Sequence, residues 1–368
     1  MEKSFYDNLA QVSLNGDTLS VDLCKKILES SEIELLPLLN AAYQIRKKYW
    51  ERDVLIHILD NVQNGFCPED CHYCAQSKIS KAIIERYPFK SYEEIMQEAE
   101  QAYKRGAFRH CLVFSGKGPN DQRIAELVKI IKDIKSKYPM EVCVSPGTIS
   151  PEQAVVLKQA GLNRLNHNIN TSKRHYPQIC TTHTYMDRLN TIKAAKKVGL
   201  QVCSGVIIGM GEDADDIIEM ALTLRNINAD SIPINFFIPI EGLPLKASKV
   251  LSPDFGLRVL CLFRFLNPSA DIRIAAGREL HFRNMEVMTL FPCNSLFLNG
   301  YLNAMGSSDK KTLRMIKDAG FEIKSEYNID DLLNHKDIKT IEIDRQINTI
   351  NLKGKKDLHP SCYNTEAT

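Results

Sequence analysis

The sequence predicts an α/β protein, a TIM-type (β/α)8 barrel with an N-terminal helical cap and a C-terminal extension. Eight short runs rich in β-branched residues alternate with amphipathic helical segments, which is typical of parallel βαβ units. The 368 residues exceed the roughly 250 that one such barrel needs but fall short of two barrels. We therefore expect residues 1–50 to form the cap, residues 51–322 the barrel, and residues 323–368 an extension that is partly flexible.

The individual elements follow from the spacing of apolar residues. In 21–28 and 35–46, apolar residues recur every three or four positions, which indicates helices in the cap. The predicted strands are 54–59, 108–114, 141–145, 164–170, 201–209, 231–238, 271–275 and 295–299. The predicted helices between them are 92–105, 122–138, 151–160, 184–198, 213–226, 253–267 and 285–291. In such a barrel the chemistry belongs at the carboxyl ends of the strands.

Composition excludes two classes of partner. Lys plus Arg number 47 and Asp plus Glu 45, so no large field of one sign favours nucleic acid. No apolar stretch reaches the roughly eighteen residues of a membrane span, and the N-terminus lacks the apolar run of a signal peptide. We expect a cytoplasmic protein whose eleven cysteines are thiols or metal ligands rather than disulfides.

A loop after the first predicted strand carries three cysteines, Cys67, Cys71 and Cys74. The C-x3-C-x2-C spacing offers three thiolates to one soft centre, which is zinc, copper(I) or an iron-sulfur cluster. A structural zinc takes four protein ligands, whereas a four-iron cluster on three cysteines leaves one iron open. The spacing favours a cluster, while zinc with His72 as its fourth ligand and unliganded thiols remain alternatives.

Three further cysteines, Cys111, Cys143 and Cys203, lie inside the second, third and fifth predicted strands. Taken singly, each is expected to be a small buried hydrophobic residue. Residues on the inner face of a small barrel converge on its axis, so the three thiols can meet there. Arg273 on the seventh strand is then a buried cation that needs an anionic neighbour.

The triplet Cys67, Cys71 and Cys74, with Tyr73 just before its last cysteine, resembles that of the radical S-adenosylmethionine enzymes. The fuller string from Cys67 to Ser77 resembles the biotin synthase family, and the resemblance extends over about residues 36–322. Other strings that carry it are 166–168, 181–185, 203–212, 231–235 and 276–279.

The resemblance implies two iron-sulfur clusters and S-adenosylmethionine as cofactors. Cys67, Cys71 and Cys74 are the implied ligands of a [4Fe-4S] cluster whose open iron binds S-adenosylmethionine. The implied ligands of a [2Fe-2S] cluster deep in the barrel are Cys111, Cys143, Cys203 and Arg273.

The resemblance also implies small-molecule contacts. Asn166, Asn168 and Asn235 are the implied substrate-binding residues, and Tyr73, Asn168, Asn170 and Glu212 the implied contacts of S-adenosylmethionine. From the sequence alone, the alternative for Asn166 and Asn168 is a polar pair at a strand end that is bonded to the backbone. The alternative for 209–212 is a strand-to-helix turn.

The implied reaction converts dethiobiotin to biotin by inserting sulfur between two carbons, with a bridging sulfide of the [2Fe-2S] cluster as the sulfur source. Those C–H bonds have no useful acidity, so we predict radical chemistry and no catalytic acid or base. The implied partners are a flavodoxin or ferredoxin as electron donor and a second copy in a homodimer. The alternatives are a related radical enzyme of the same barrel type acting on another substrate, and a zinc-binding module.

Some residues fall outside this pattern. Asn170 stands where the family usually has an acidic residue, and 302–304 reads Leu-Asn-Ala where it commonly has Leu-Thr-Thr. Both hydroxyls near the substrate carboxylate are thus missing, although Asn303 keeps a polar amide. We expect the remaining cysteines to be packing or exposed thiols. They are Cys24, Cys180, Cys261 and Cys293, and Cys362 in the extension is expected to be a stray thiol.

Overall fold

A closed barrel of parallel strands forms the centre of the protein, whose computed structural model describes residues 3–246, 251–334 and 350–362. The barrel strands are β1 (Asp53–Gln63), β2 (Arg109–Phe114), β3 (Glu141–Ser145), β4 (Arg164–Asn166), β5 (Gln201–Cys203), β6 (Val206–Ile208), β7 (Ser231–Phe236), β8 (Asp271–Ile274) and β9 (Ser295–Phe297). β5 and β6 share the fifth of eight positions, and β1 pairs with both β2 and β9. The predicted barrel is therefore confirmed.

Helices surround the barrel and precede it. They are α1 (Lys3–Leu14), α2 (Val21–Glu29), α3 (Leu35–Trp50), α4 (Tyr92–Lys104), α5 (Asp121–Lys137), α6 (Pro151–Gln159), α7 (Tyr176–Ile179), α8 (Tyr185–Lys197), α9 (Ala214–Asn226), α10 (Pro253–Leu266), α11 (Arg278–Phe282), α12 (Asp309–Asp318), α13 (Ile329–Asn334) and α14 (Lys355–Leu358). Capping boxes begin α4, α6, α8 and α9. No helix within the described ranges has the length and apolar character needed to cross a bilayer.

Some elements differ from the sequence prediction. The segment Arg283–Leu290 is a 3-10 helix rather than an α-helix, and α12 and the short strand β10 (Glu322–Ile323) were not predicted. The fifth strand is interrupted at Gly205, where an added Cβ would lie 2.0 Å from the carbonyl oxygen of Pro233. Only glycine allows this close approach to β7. The division into cap, barrel and extension stays a prediction.

The amino ends of the strands carry a buried network of charges, which we call the charged floor. Its centre is Asp271, whose Oδ2 lies 3.0 Å from Arg164 Nη1, 3.4 Å from Arg109 Nη1 and 3.3 Å from Arg273 Nη2. Burial raises the pKa of the Asp271 carboxyl, but Arg273, Arg164 and Arg109 outweigh it and hold that pKa well below its usual range. Arg109 also pairs with Glu141, so three cations face two carboxylates. The charged floor therefore keeps an excess of positive charge.

The tail segment 350–362 packs on the carboxyl side of the barrel. The N–H of Lys353 donates to the carbonyl of Asn303 at 2.8 Å, and the N–H of Met305 donates to the carbonyl of Asn351 at 2.9 Å. Leu358 of α14 is buried. The tail therefore forms an antiparallel pair with the loop that follows β9.

We predict that Asp271→Asn lowers the free energy of unfolding by about 3–5 kcal/mol, because it leaves buried arginines without their shared carboxylate. Urea denaturation measures this change. The control is Glu100→Gln, which removes the exposed ion pair with Lys104 and should change stability by less than about 1 kcal/mol. An equally small change in Asp271→Asn would contradict the central role of this carboxylate.

We predict that deleting residues 350–368 accelerates hydrogen exchange of the Met305 amide, since its acceptor on Asn351 is removed. Peptide-level exchange measured by mass spectrometry tests this. Amides of β3, which lies within the barrel, serve as the internal control and should exchange at the parent rate. Unchanged exchange in the loop 301–305 would show that the pairing does not persist in solution.

Candidate active site

A cavity of about 270 Å³ lies at the carboxyl ends of the barrel strands. Its walls come from loops that follow β1, β2, β3, β4, β7 and β9, as the barrel architecture requires. The predicted site residues in these walls are Cys67, Cys71, Tyr73, Cys74, Asn166, Asn168, Asn170 and Asn235. The cavity therefore brings together the first cysteine set and all of the predicted asparagines.

The cysteine loop is held by hydrogen bonds to the loop that follows α7. The carboxylate of Asp70 accepts from the backbone N–H of Thr181 at 2.9 Å and of Thr182 at 3.1 Å. The N–H of Cys74 donates to the carbonyl of Cys71 at 3.2 Å, which makes the C-x2-C segment a tight turn. These contacts hold the thiols in one wall of the cavity.

The three thiols fit a cluster with an open iron. Loss of solvent raises the pKa of the Cys74 thiol to about 11 and also raises that of Cys67. A bound metal centre displaces such protons, because the thiolate is the ligand. Three soft donors on one wall, with open space in front of them, match a cluster that keeps one iron for a second ligand.

The predicted asparagines line the cavity and also bond to neighbouring strands. Asn166 Nδ2 lies 3.2 Å from Asn168 Oδ1, and that oxygen accepts from the N–H of Gly205 at 2.9 Å. Asn235 Nδ2 donates to the carbonyl of Val206 at 2.9 Å. Part of each amide is thus bonded to the protein, which for Asn166 and Asn168 is what a polar pair at a strand end would show. The three side chains nevertheless border the cavity.

Two residues predicted to contact S-adenosylmethionine contact each other. Asn170 Nδ2 donates to Tyr73 Oη at 2.5 Å. Asn170 has a positive φ of 67°, which asparagine tolerates better than most residues. Glu212 lies outside the cavity wall, where its carboxylate accepts from the N–H of Gly209 and Met210 at 2.5 and 2.8 Å. Glu212 therefore closes the strand-to-helix turn before α9.

A second, smaller cavity of about 20 Å³ lies deeper in the barrel and is lined by Cys111, Cys143, Cys203 and Arg273. Cys111 and Cys143 are direct neighbours in the register of β2 and β3, and Arg273 Nη1 lies 3.7 Å from Cys203 Sγ. A hydrogen bond with Cys143 and the charge of Arg273 outweigh burial and lower the pKa of the Cys111 thiol. The structure thus brings together all four residues of the second set.

An unpartnered atom shows that this second site suits an anionic group. Arg273 Nε is buried and has no hydrogen-bond partner in the described part of the chain. Leaving a buried donor without a hydrogen bond is costly. A cluster bound by thiolates would place negative charge beside this donor. The donor set of three thiols and one guanidinium therefore fits the predicted [2Fe-2S] group.

Sequence reasoning missed Arg188, a half-buried cation of α8 in the cavity wall. Its Nη1 donates to the carbonyl of Asn168 at 3.0 Å, and its Nη2 lies 2.8 Å from His183 Nε2. A charged residue on an amphipathic helix is usually solvated, so nothing in the sequence singles it out. Its position depends on packing between α8 and the loop after β4.

The loop that departs from the family pattern is also bonded internally. Asn303 and Asn64 exchange two side-chain hydrogen bonds, of 2.7 and 3.1 Å. The polar amide of Asn303 is thus engaged by the protein, although the residue lines the cavity beside Leu302 and Ala304. Asn303 therefore offers less to a substrate carboxylate than its side chain alone suggests.

Four cysteines outside the two sets, at positions 24, 180, 261 and 293, are buried thiols. Cys24, Cys261 and Cys293 belong to the hydrophobic core, which agrees with the packing role expected for them. Cys180 is buried as well, but its Sγ lies 3.8 Å from that of Cys71. None of the described cysteines forms a disulfide.

Comparison with known proteins agrees with this geometry. Residues 63–224 match the family model of the radical SAM superfamily, and residues 233–322 match the biotin and thiamin synthesis associated domain. The biotin synthase of Magnetococcus marinus is 51% identical over 86% of this chain and 98% of its own length. The biotin synthase of Acaryochloris marina is 50% identical over 82% of this chain and 88% of its own length. The biotin synthase of Rhodopirellula baltica is 41% identical over 87% of this chain and 89% of its own length.

Solved structures show the same fold at low sequence identity. The crystal structure of methylornithine synthase superimposes with a TM-score of 0.73 at 20% identity, covering 88% of this chain and 98% of that one. The hydrogenase maturase HydG from Carboxydothermus hydrogenoformans superimposes with a TM-score of 0.72 at 17% identity, covering 87% of this chain and 79% of that one. With curated relatives at about half identity over nearly their whole length, the chain belongs to the biotin synthase family of radical S-adenosylmethionine enzymes.

Proposed function

We propose that the protein converts dethiobiotin to biotin by radical insertion of sulfur, with S-adenosylmethionine, a [4Fe-4S] cluster and a [2Fe-2S] cluster as cofactors. Family membership supports the reaction. The observation that carries the proposal is the stacking of two three-cysteine sets along one barrel axis. Val113, Ser145, Asn166 and Tyr301 line both cavities, so the two sites adjoin.

Each cysteine set has one task in this proposal. Cys67, Cys71 and Cys74 hold the four-iron cluster, and the ligands of the two-iron cluster are Cys111, Cys143, Cys203 and Arg273. When bound, these groups supply a deoxyadenosyl radical from S-adenosylmethionine and the sulfur atom of the product. The protein contributes alignment and exclusion of water, because acid-base groups cannot activate an unactivated C–H bond.

The asparagines supply the contacts for the substrate. The urea ring of dethiobiotin has N–H donors and a C=O acceptor, and amide side chains offer the complementary groups. Asn166 borders both cavities, so a substrate bonded to it lies between the radical source and the sulfur source. Asn168 and Asn235 line the larger cavity together with Asn166 and provide the remaining amide groups for the urea ring.

S-adenosylmethionine has its own contacts in the cavity. Its carboxylate needs a cation, and Arg188 is a guanidinium in the wall. The bonded pair Asn170 and Tyr73 is proposed to border the adenosine moiety. Glu212 acts indirectly, since its carboxylate fixes the turn at Gly209 rather than facing the cavity.

The substrate carboxylate has fewer polar partners than the family pattern provides. Asn303 is bonded to Asn64, and Ala304 has no hydroxyl. Lys117 lines the same cavity and offers a cation for an acid tail. A related radical enzyme with another substrate is the alternative, and turnover of dethiobiotin separates the two. An electron donor of the flavodoxin or ferredoxin type, a homodimer and a cytoplasmic location remain predictions.

We predict that anaerobic reconstitution with iron and sulfide gives the parent both clusters, as counted by Mössbauer spectroscopy. The double variant Cys111→Ala, Cys143→Ala should keep only the [4Fe-4S] cluster, because it loses two of four ligands of the other. It should still cleave S-adenosylmethionine but form no biotin from dethiobiotin.

The control for the cluster experiment is Cys261→Ala, which removes a buried core thiol and should retain both clusters. A parent that holds only the four-iron cluster would make the strand cysteines core packing and overturn sulfur insertion. A parent that holds both clusters, cleaves S-adenosylmethionine and leaves dethiobiotin unchanged would favour the alternative substrate.

We predict that Arg188→Met weakens binding of S-adenosylmethionine about ten- to a hundred-fold, because a hydrogen bond to a charged group contributes about 1.5–3 kcal/mol. Equilibrium dialysis with the reconstituted protein measures the dissociation constant. Lys196→Met is the matched control, since Lys196 lies on the same helix but pairs with Asp230 away from the cavity. Equal affinities in Arg188→Met and the parent would remove Arg188 from the site.

A further inference from the structure

One group of buried and half-buried side chains, which shares only Cys71 with the two cysteine sets, has the composition of a transition-metal site. Cys71, Cys180 and His183 each offer a ligand atom, and these atoms all lie within 4.8 Å of one another. Cys71 Sγ and Cys180 Sγ are 3.8 Å apart, and Cys180 Sγ is 3.3 Å from His183 Nδ1 and 3.7 Å from His183 Nε2. Cys180 and His183 have no assigned role in either cluster.

These distances match ligands of a single ion. Zinc binds sulfur at about 2.3 Å and histidine nitrogen at about 2.0–2.1 Å, so tetrahedral angles place two sulfurs about 3.8 Å apart and sulfur and nitrogen about 3.5 Å apart. Thiolates on different irons of one cluster stand farther apart, because two metal atoms lie between them. Cys180 beside Cys71 is therefore spaced as a second ligand of one ion rather than of a cluster.

Hydrogen bonds at both ring nitrogens fix the imidazole of His183. Arginine only donates hydrogen bonds, so the contact of Arg188 at 2.8 Å makes Nε2 of His183 an acceptor whose lone pair faces the guanidinium until an ion replaces it. Nδ1 then carries the proton and donates to the carboxylate of Glu69 at 2.5 Å. This carboxylate–histidine arrangement is the one that commonly fixes the ring of a metal-bound histidine.

We propose that the cluster-free protein binds one divalent transition-metal ion, zinc best, through Cys71, Cys180 and His183. Binding forms two metal–sulfur bonds and one metal–nitrogen bond at Nε2, and the ion displaces the guanidinium of Arg188 from that nitrogen. Any proton that the two thiols still hold leaves to solvent, and no electron is transferred. Water completes the tetrahedron.

The ion and the four-iron cluster exclude each other, because both use Cys71. This part of the inference rests on the proposed role of Cys71 as a cluster ligand. A zinc ion at this site therefore holds the middle cysteine of the loop and must leave before the cluster assembles. Metal supply then regulates how much of the protein becomes active.

The test titrates cobalt(II) into anaerobic, metal-free protein that contains neither cluster. The parent should bind one cobalt(II) per chain, with thiolate-to-cobalt charge-transfer bands and tetrahedral d–d bands, and zinc should abolish them. Cys180→Ser and His183→Gln should each weaken binding by at least about a hundred-fold, because even an indirect partner of a ligand contributes about 10- to 100-fold. Circular dichroism checks that both variants are folded.

The matched control is the double variant Cys67→Ser, Cys74→Ser, which removes two proposed cluster ligands and leaves this site whole. It should bind cobalt(II) as the parent does. If the double variant loses the bands while Cys180→Ser keeps them, the ion is bound by the cysteine loop and the proposal is overturned. Since this arm uses no iron, it is independent of whether the protein performs sulfur insertion.

A second arm tests exclusion. Zinc added before iron and sulfide should delay formation of the four-iron Mössbauer signal in the parent, and the delay should be absent in Cys180→Ser. An equal rate with and without zinc in the parent would overturn mutual exclusion. Failure of the parent to form any four-iron cluster without zinc would instead count against the proposed function.

Discussion

The structure depends on one electrostatic constraint, the fully buried carboxylate of Asp271 among three arginines. Burying charge is costly, and this arrangement is stable only because each cation shares the same anion or a neighbouring one. The excess positive charge is carried toward the barrel interior by Arg273, whose Nη2 is held by Ser231 at 2.9 Å. This positive charge lies beside the thiols of the second cysteine set, 3.7 Å from Cys203 Sγ.

The order of layers along the barrel axis follows from strand geometry. Side chains alternate between two faces of a strand, so residues two apart point the same way. On β2 the charged-floor residue Arg109 is followed two positions later by Cys111, and on β8 Asp271 is followed by Arg273. On β4 the same interval leads from Arg164 to Asn166. Charge, sulfur and amide therefore stack in register.

The barrel and the first cysteine set could be predicted because their signals are local, whereas the joint role of Cys111, Cys143 and Cys203 was implied by the family resemblance. Periodic apolar runs define the strands, and Cys67, Cys71 and Cys74 are close in sequence. What escaped prediction depends on contacts between distant residues, such as the pair Asn64 and Asn303, which are 239 positions apart. The break at Gly205 likewise depends on the approach of β7. Spacing also gave no indication that Cys180 would lie beside Cys71.

The pairing of the tail with the loop after β9 has a consequence for synthesis of the chain. Met305 finds its acceptor on Asn351 only after the intervening residues have been translated. At about 5–20 residues per second, the rim of the cavity stays incomplete on the ribosome for several seconds. During that interval the nascent barrel exposes a loop with an unpaired backbone edge, which is a surface that a chaperone or another chain can occupy.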